Sequence, residues 1–208
     1  MRSILIVSLI FSFVWMFVPG EVQAQTDTEL LSLDDFVAKV KNGESEILRG
    51  IYVPEIFASE VGQQPAGNAT FVSPLENILT QFQLASRFGS IGLLAHDYLA
   101  GSTFFLLTEG KIFYLIYGDG KTKAFVVTQT LRYRALRPDS PTSKFVDLAD
   151  GHILTSPKLF RKIYNRPDHV VLQTCIYSDG ISSWGRLFVI AKPYTEVKLE
   201  PTIHIMAP

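Results

Sequence analysis

The chain has 208 residues, and its 19 Lys and Arg are balanced by 20 Asp and Glu. This length suits one domain with a full hydrophobic core and argues against a second independent domain. No block of basic residues of the kind that neutralises phosphates is present, so nucleic acid is excluded as the expected partner.

The first 24 residues predict a secretory signal peptide. Arg2 precedes an uninterrupted apolar stretch from Ile4 to Val18, and Ala24 is the small residue before a plausible cleavage site. The apolar stretch is shorter than the roughly 18–20 residues that span a bilayer comfortably. An uncleaved membrane anchor is the alternative interpretation. No later segment is long and apolar enough to cross a membrane, so we expect an extracytoplasmic mature protein.

Helical patterns occur in three segments. The first runs from Ser32, an expected N-cap, to Gly43, and belongs to an N-terminal helix and linker over residues 25–50. The second runs from Ser73 to Gly89 and begins with a capping box. The third is the short segment "SPKLFRKIYNR". We therefore predict two or three short helices.

Strand patterns fill most of residues 51–208. "ILRGIYVPEIFASE" is typical of a strand broken by Pro54, and a turn at Asp119 and Gly120 predicts a hairpin within residues 111–136. Further strands are predicted over residues 90–100, 102–110, 169–177 and 185–194, with a loop over residues 137–151. Short strands at close intervals, with few helices, predict a β-barrel or a β-sandwich.

Cys175 is the only cysteine of the chain, so no intramolecular disulfide can form. A free cysteine on a strand is most often a small core residue. Arg186 follows eleven positions later, and a hairpin turn at "SDGISS" would return its strand beside that of Cys175. An arginine there favours the thiolate and can donate hydrogen bonds to an oxyanion. The residues alone leave both interpretations of Cys175 open.

Histidine is the usual proton carrier for a catalytic cysteine. His96 stands at the end of an apolar strand, where a side chain can project from a rigid scaffold. His169 lies six residues before Cys175, or roughly 20 Å along one strand, which is too far for a dyad. We interpret His152 and His204 as surface residues. The sequence contains no zinc-ligand spacing and no phosphate-binding loop, so no metal or cofactor is expected.

Four features in order resemble the sortase family, the cysteine transpeptidases of bacterial cell surfaces. "LLAHDY" places a histidine at the end of a strand, and "FFLLTEGKIFYLIYG" has the F-x-x-L-x-x-G spacing before a hairpin. "LQTC" is similar to the family's T-L-x-T-C strand, and "WGRLFVIA" is similar to the closing strand that carries its arginine. The match spans residues 91–192, and the ordered set is more specific than any single motif.

The resemblance implies a closed eight-stranded β-barrel whose groove holds His96, Cys175 and Arg186. It implies that Cys175 attacks a threonine–glycine-type bond in the C-terminal sorting signal of another secreted protein, which gives a thioester. His96 would protonate the leaving amine and later deprotonate a cell-wall or pilin amine, while Arg186 would hold the oxyanion or the peptide backbone. No cofactor would be needed, and the enzyme would work at the cell surface.

Two alternatives remain at this stage. One is a catalytically inactive barrel of sortase shape that binds peptides or acts as a scaffold. The other is an L,D-transpeptidase, which also uses cysteine and histidine on a β-rich fold. The second ranks last because the histidine-glycine and S-x-G-C-type signature is missing.

Overall fold

The computed structural model describes residues 30–140 and 142–195. The predicted signal peptide and the C-terminal tail with His204 lie outside these ranges. Within them, no helix combines the length and the apolar character needed to span a membrane. The helices of the described residues are α1 (Leu33–Val40), α2 (Gln83–Ser86), a 3-10 helix (Ala100–Leu106) and α3 (Ser156–Tyr164).

Ten strands form one sheet in the described part of the chain. They are β1 (Leu48–Val53), β2 (Phe57–Gln63), β3 (Ile78–Phe82), β4 (Ile91–Leu94), β5 (Ile112–Tyr117), β6 (Thr122–Ala135), β7 (Lys144–Asp147), β8 (Ile153–Thr155), β9 (Val170–Ser178) and β10 (Ile181–Pro193). The order is β10-β9-β4-β3-β2-β1-β5-β6, and β6 pairs again with β10. This last pairing closes eight strands into the predicted barrel, and β7 and β8 extend the sheet beyond it.

The barrel strands bury residues on both faces. Alternate residues of β9 and β10, such as Leu172 and Leu187, point into the barrel core. The residues between them, such as Val171 and Phe188, pack outside the barrel against Leu159, which belongs to α3. We call this second group the outer cluster. Its buried members are Ala85, Tyr133, Leu159, Ile163, Tyr164, Val171, Phe188 and Ile190.

Helix α1 begins and ends close to where the sequence predicts. The Ser32 hydroxyl accepts a hydrogen bond from the Asp35 backbone N–H, as an N-cap does. Phe36 and Val40 are buried against the outside of the barrel. Gly50 makes this contact possible, because a Cβ atom there would lie 2.9 Å from the Phe36 ring.

The helix predicted from Ser73 to Gly89 is wrong for most of its length. Asn77 has a left-handed φ of 58°, which interrupts a helix. β3 follows and pairs in parallel with β2 and antiparallel with β4. Leu79, in the middle of β3, is fully buried in the barrel core. Tertiary pairing therefore overrides the local capping signal, and only α2 remains helical.

Two smaller predictions are also corrected. The strand predicted over residues 102–110 is the 3-10 helix, which carries Phe104 and leads to Leu107, both in the barrel core. The loop predicted over residues 137–151 contains β7, which pairs with the end of β6. The apolar spacing of the first segment fits either structure, and β7 is too short to give a clear pattern.

Candidate active site

Cys175 and Arg186 are direct partners across the β9–β10 hairpin. The hairpin turns at Asp179 and Gly180, whose φ angles of 53° and 78° are left-handed. Asp and Gly tolerate this region better than other residues, which explains why the chain reverses here. The register shifts between Ile181 and the Arg186 segment, and pairing is then regular along β10.

Both side chains lie on the outer face of the barrel. Thr174 and its partner Leu187 are buried toward the inside, so the next pair, Cys175 and Arg186, faces out. Directly opposite residues on one face have Cβ atoms about 4.5–5.5 Å apart. The structure therefore brings the predicted thiol and guanidinium together on a partly exposed surface.

His96 lies two residues past the end of β4, the strand on the other side of β9. Parallel pairing of β4 with β9 ends at Leu94 and Gln173, and the Ala95 N–H then donates to the Gln173 carbonyl at 3.2 Å. Continued by two residues, this register brings His96 level with Cys175. The His96 ring is half-buried and stacks on Tyr98, with 5.1 Å between ring centroids. The three predicted residues thus lie on adjacent chain segments at one end of the barrel.

The electrostatics of Cys175 differ from the sequence-based expectation. Burial raises the pKa of the thiol, Arg186 lowers it, and the carboxylate of Asp97 raises it; the net pKa lies above the ordinary value. Arg186 therefore favours the thiolate as expected, but burial outweighs it. The balance of these effects favours the neutral thiol near neutral pH.

Arg186 is fixed by its own strand and turn. Its Nη1 donates to the carbonyl oxygens of Gly185 at 2.7 Å and Ser183 at 3.2 Å. The other guanidinium nitrogens make no hydrogen bond to a side chain or backbone group within residues 30–140 and 142–195. A planar, permanently charged donor held in this way can bind an oxyanion or a peptide carbonyl.

A cavity of about 210 Å³ opens beside Arg186 and has a mostly apolar lining. Its walls come from α3, from the loop before β7, and from β7, β9 and β10. The lining residues are Ser140, Phe145, Ser156, Leu159, Phe160, Tyr164, Gln173, Arg186 and Phe188. Sequence reasoning missed this cavity. The available signal was the apolar run Val170–Leu172, which is typical of a strand covered on both faces.

The other described histidines stand apart from this site. His152 is 80% exposed and pairs with Asp150 at 3.1 Å. His169 precedes β9, at the end of the strand away from Cys175, and its Nδ1 lies 2.8 Å from the Pro167 carbonyl oxygen. Among the described residues, no group of three His, Cys, Asp or Glu side chains is arranged to hold a metal ion.

Comparison with solved structures identifies the fold. Sortase A from Corynebacterium diphtheriae is 17% identical to this chain with a TM-score of 0.50, and the match covers 76% of this chain and 65% of that one. The chain has the sortase fold. It spans just under two thirds of the length of that sortase.

Other sortases match at lower TM-scores. Sortase C1 from Streptococcus suis is 15% identical, with a TM-score of 0.49 and 81% coverage of both chains. Sortase C from Clostridium perfringens is 17% identical, with a TM-score of 0.44, 79% coverage of this chain and 84% of that one. No protein-family model matches the sequence. A search of curated proteins finds no relative.

Proposed function

We propose that this protein is a sortase-like cysteine transpeptidase that acts on other secreted proteins at the cell surface. The observation that carries the proposal is the pairing of Cys175 with Arg186 on the outer face of a sortase fold, with His96 just past the end of the next strand, where its register is level with the thiol. A thiol, an imidazole and a guanidinium at one surface supply a nucleophile, a proton carrier and an oxyanion donor.

The reaction proceeds in two halves. His96 takes the proton of Cys175, and the sulfur attacks the carbonyl of a threonine–glycine-type bond in a C-terminal sorting signal. Arg186 donates hydrogen bonds to the oxyanion of the tetrahedral intermediate. The intermediate collapses to a thioester as His96 gives its proton to the leaving amine. A cell-wall or pilin amine then loses a proton to His96 and attacks the thioester, and His96 passes that proton to the departing sulfur, which restores the Cys175 thiol.

The cavity beside Arg186 supports the choice of a peptide substrate. Its lining is mostly aromatic and aliphatic, which suits an apolar side chain, while Ser140, Ser156, Gln173 and Arg186 provide polar groups. We propose that a residue of the sorting signal on the amino-terminal side of the scissile bond binds here. That position directs the peptide backbone past Arg186 toward the sulfur of Cys175.

One observation favours the alternative of a peptide-binding barrel without catalysis. Burial holds the pKa of the Cys175 thiol above its ordinary value, whereas a preformed thiolate would be the stronger sign of a nucleophile. The two functions differ in a covalent step. Only the transpeptidase forms a thioester, and both bind the peptide.

The decisive experiment therefore compares the wild-type protein with Cys175→Ala. A peptide library built around a Thr–Gly bond is incubated with each protein, and mass spectrometry detects the acyl adduct. We expect an adduct on the wild-type protein that hydroxylamine releases, and none on Cys175→Ala. Ser178→Ala, on the same strand, is the matched control and keeps activity. Turnover by Cys175→Ala, or a folded wild-type protein that binds peptide without an adduct, would refute the proposed function.

A further inference from the structure

The loop that follows His96 returns at Gly101 to β9, the strand that carries Cys175. The His96 carbonyl oxygen accepts hydrogen bonds from the N–H groups of Leu99 and Gly101, both at 3.0 Å. On the other side of His96, the Ala95 N–H is bonded to the Gln173 carbonyl. The main chain is therefore anchored immediately before and after His96.

Gly101 stands where no side chain fits. A Cβ atom at this position would overlap the Thr174 hydroxyl oxygen and would lie 2.6 Å from the His96 carbonyl oxygen and 2.9 Å from its carbon. The φ angle of Gly101 is outside the left-handed region, so close approach explains this glycine and conformational freedom does not.

The contact joins the two halves of the candidate site. Thr174 precedes Cys175, and its hydroxyl is fully buried with no hydrogen-bond partner among the described residues. A Cβ atom on Gly101 would thus meet both this buried hydroxyl and the His96 carbonyl. The distance between the His96 loop and β9 depends on a glycine at this one point.

We propose that Gly101 is a positioning residue for His96. Its bare Cα lets the 3-10 helix lie against Thr174 and the His96 carbonyl, which holds the imidazole level with Cys175. The catalytic consequence rests on the proposed function, whereas the placement of the ring does not.

A methyl group at Gly101 cannot be accommodated unless the backbone moves. One of the atoms that it meets belongs to the Thr174 side chain, but the other two belong to the His96 backbone and cannot rotate away. The loop must shift, and the ring moves with it. A displacement of about 1 Å at a reacting group can reduce the rate about a hundredfold.

The test compares Gly101→Ala with Gly62→Ala in the full chain. Gly62 on β2 is the matched control, because its nearest neighbour to an added Cβ would be Ile78 at an ordinary 3.6 Å. NMR chemical shifts of the His96 ring protons report its position, since the ring stacks on Tyr98. We expect Gly101→Ala to change these shifts and to lower kcat about a hundredfold with KM little changed. We expect Gly62→Ala to leave the ring shifts and kcat at wild-type values.

Two results would overturn the proposal. The first is a folded Gly101→Ala protein whose His96 ring shifts equal those of Gly62→Ala. The second uses Gly101→Ala combined with Thr174→Ala, which removes the hydroxyl overlap, aids folding and keeps the contact with the His96 backbone. A return of the wild-type ring shifts in that protein would show that the contact with the His96 backbone does not move the ring, and Gly101 would then not position it. If the wild-type protein has no peptidase activity, the proposed function fails while the ring shifts still decide this inference.

Discussion

The ionisation of Cys175 is set by three neighbours that act in opposite directions. Burial raises the pKa of its thiol most, Arg186 lowers it, and Asp97 raises it. The positive charge of Arg186 therefore offsets part of the rise in the thiol pKa that burial causes. In the proposed mechanism its larger effect comes later, when the negative charge moves from sulfur to the oxyanion.

Charge-removing substitutions at these two neighbours should move the thiol pKa in opposite directions. We expect Arg186→Gln to raise it further and Asp97→Asn to lower it, because each removes one Coulombic contribution. Because thiolate is the reactive form, alkylation by iodoacetamide at neutral pH becomes slower in the first variant and faster in the second. The pH dependence of the alkylation rate measures both shifts.

The exposed Arg87→Gln is the control for a general change in net charge, and we expect it to leave the alkylation profile unchanged. Equal profiles for Arg186→Gln, Asp97→Asn and the wild-type protein would contradict the electrostatic account. The sequence could indicate Arg186, since it follows Cys175 by eleven positions and the hairpin turn between them returns it beside Cys175. It could not indicate the raised thiol pKa, because the extent of burial is a property of the folded structure.

At the scale of elements, helix α3 determines the shape of the cavity beside Arg186. Tyr164, its last residue, is buried and its hydroxyl donates to the Gln173 side-chain carbonyl at 2.6 Å. Burial raises the pKa of Tyr164 far above its usual range, so the phenol stays protonated and remains a donor. This bond joins the end of α3 to β9, two residues before Cys175.

We expect Tyr164→Phe to reduce the free energy of unfolding by about 1 kcal/mol, because the partly buried Gln173 carbonyl loses its donor. The KM for a sorting-signal peptide should rise, since the cavity wall is no longer fixed. Urea unfolding and peptide kinetics measure the two effects. Tyr114→Phe on β5 is the control, as the Tyr114 hydroxyl makes no hydrogen bond within the described residues. Equal unfolding curves for the two variants would contradict the role of the Tyr164 bond.

The elements also show what sequence patterns can and cannot predict. The α1 cap at Ser32, the Asp119–Gly120 turn and the apolar runs of β9 and β10 are local signals, and each predicts its element correctly. The segment from Ser73 to Gly89 carries a capping box and an apolar spacing that predict a helix, yet it contains β3. Its structure depends on pairing with β2 and β4, and no local pattern contains that information.

The candidate site shows the same division. Hairpin geometry predicts that Cys175 meets Arg186. The order of the family's motifs, in contrast, is what places His96 in the same site. The structure supplies the physical link, which is the parallel pairing of β4 with β9. Parallel strands need a long crossover connection, so their registers are not readable from sequence spacing.

On the scale of the whole molecule, a closed barrel is joined to a second packed layer. Pairing of β6 with β10 completes the barrel, and the outer cluster covers the faces of β9 and β10 that would otherwise be exposed. Lys162 of α3 donates to the buried Asp147 of β7 at 3.0 Å and lies over the Tyr133 ring of β6. This pair fastens the layer that contains α3 to the sheet.

The Lys162–Asp147 pair should make the stability of the molecule depend on pH. Burial opposes ionisation of Asp147, but hydrogen bonds from the Ala149 N–H and Lys162 outweigh it and hold the pKa of the carboxyl below its ordinary value. A lowered carboxyl pKa stabilises the folded state above the unfolded-state pKa of about 4, and this contribution is lost as the pH falls through the folded-state value. Because Lys162 is 43% exposed, the contribution is modest.

We expect Lys162→Met to reduce the free energy of unfolding by about 1 kcal/mol near neutral pH, since Asp147 then stays buried without its cation. The difference from the wild-type protein should shrink below about pH 4, as Asp147 becomes protonated in both proteins. Urea unfolding across this pH range measures it. Lys158→Met is the control, because Lys158 is an exposed lysine on the same helix and its loss should change stability little at any pH. A Lys162→Met deficit that stays constant down to low pH would mean that α3 is held by apolar packing alone, with the ion pair contributing nothing to the union of the two layers.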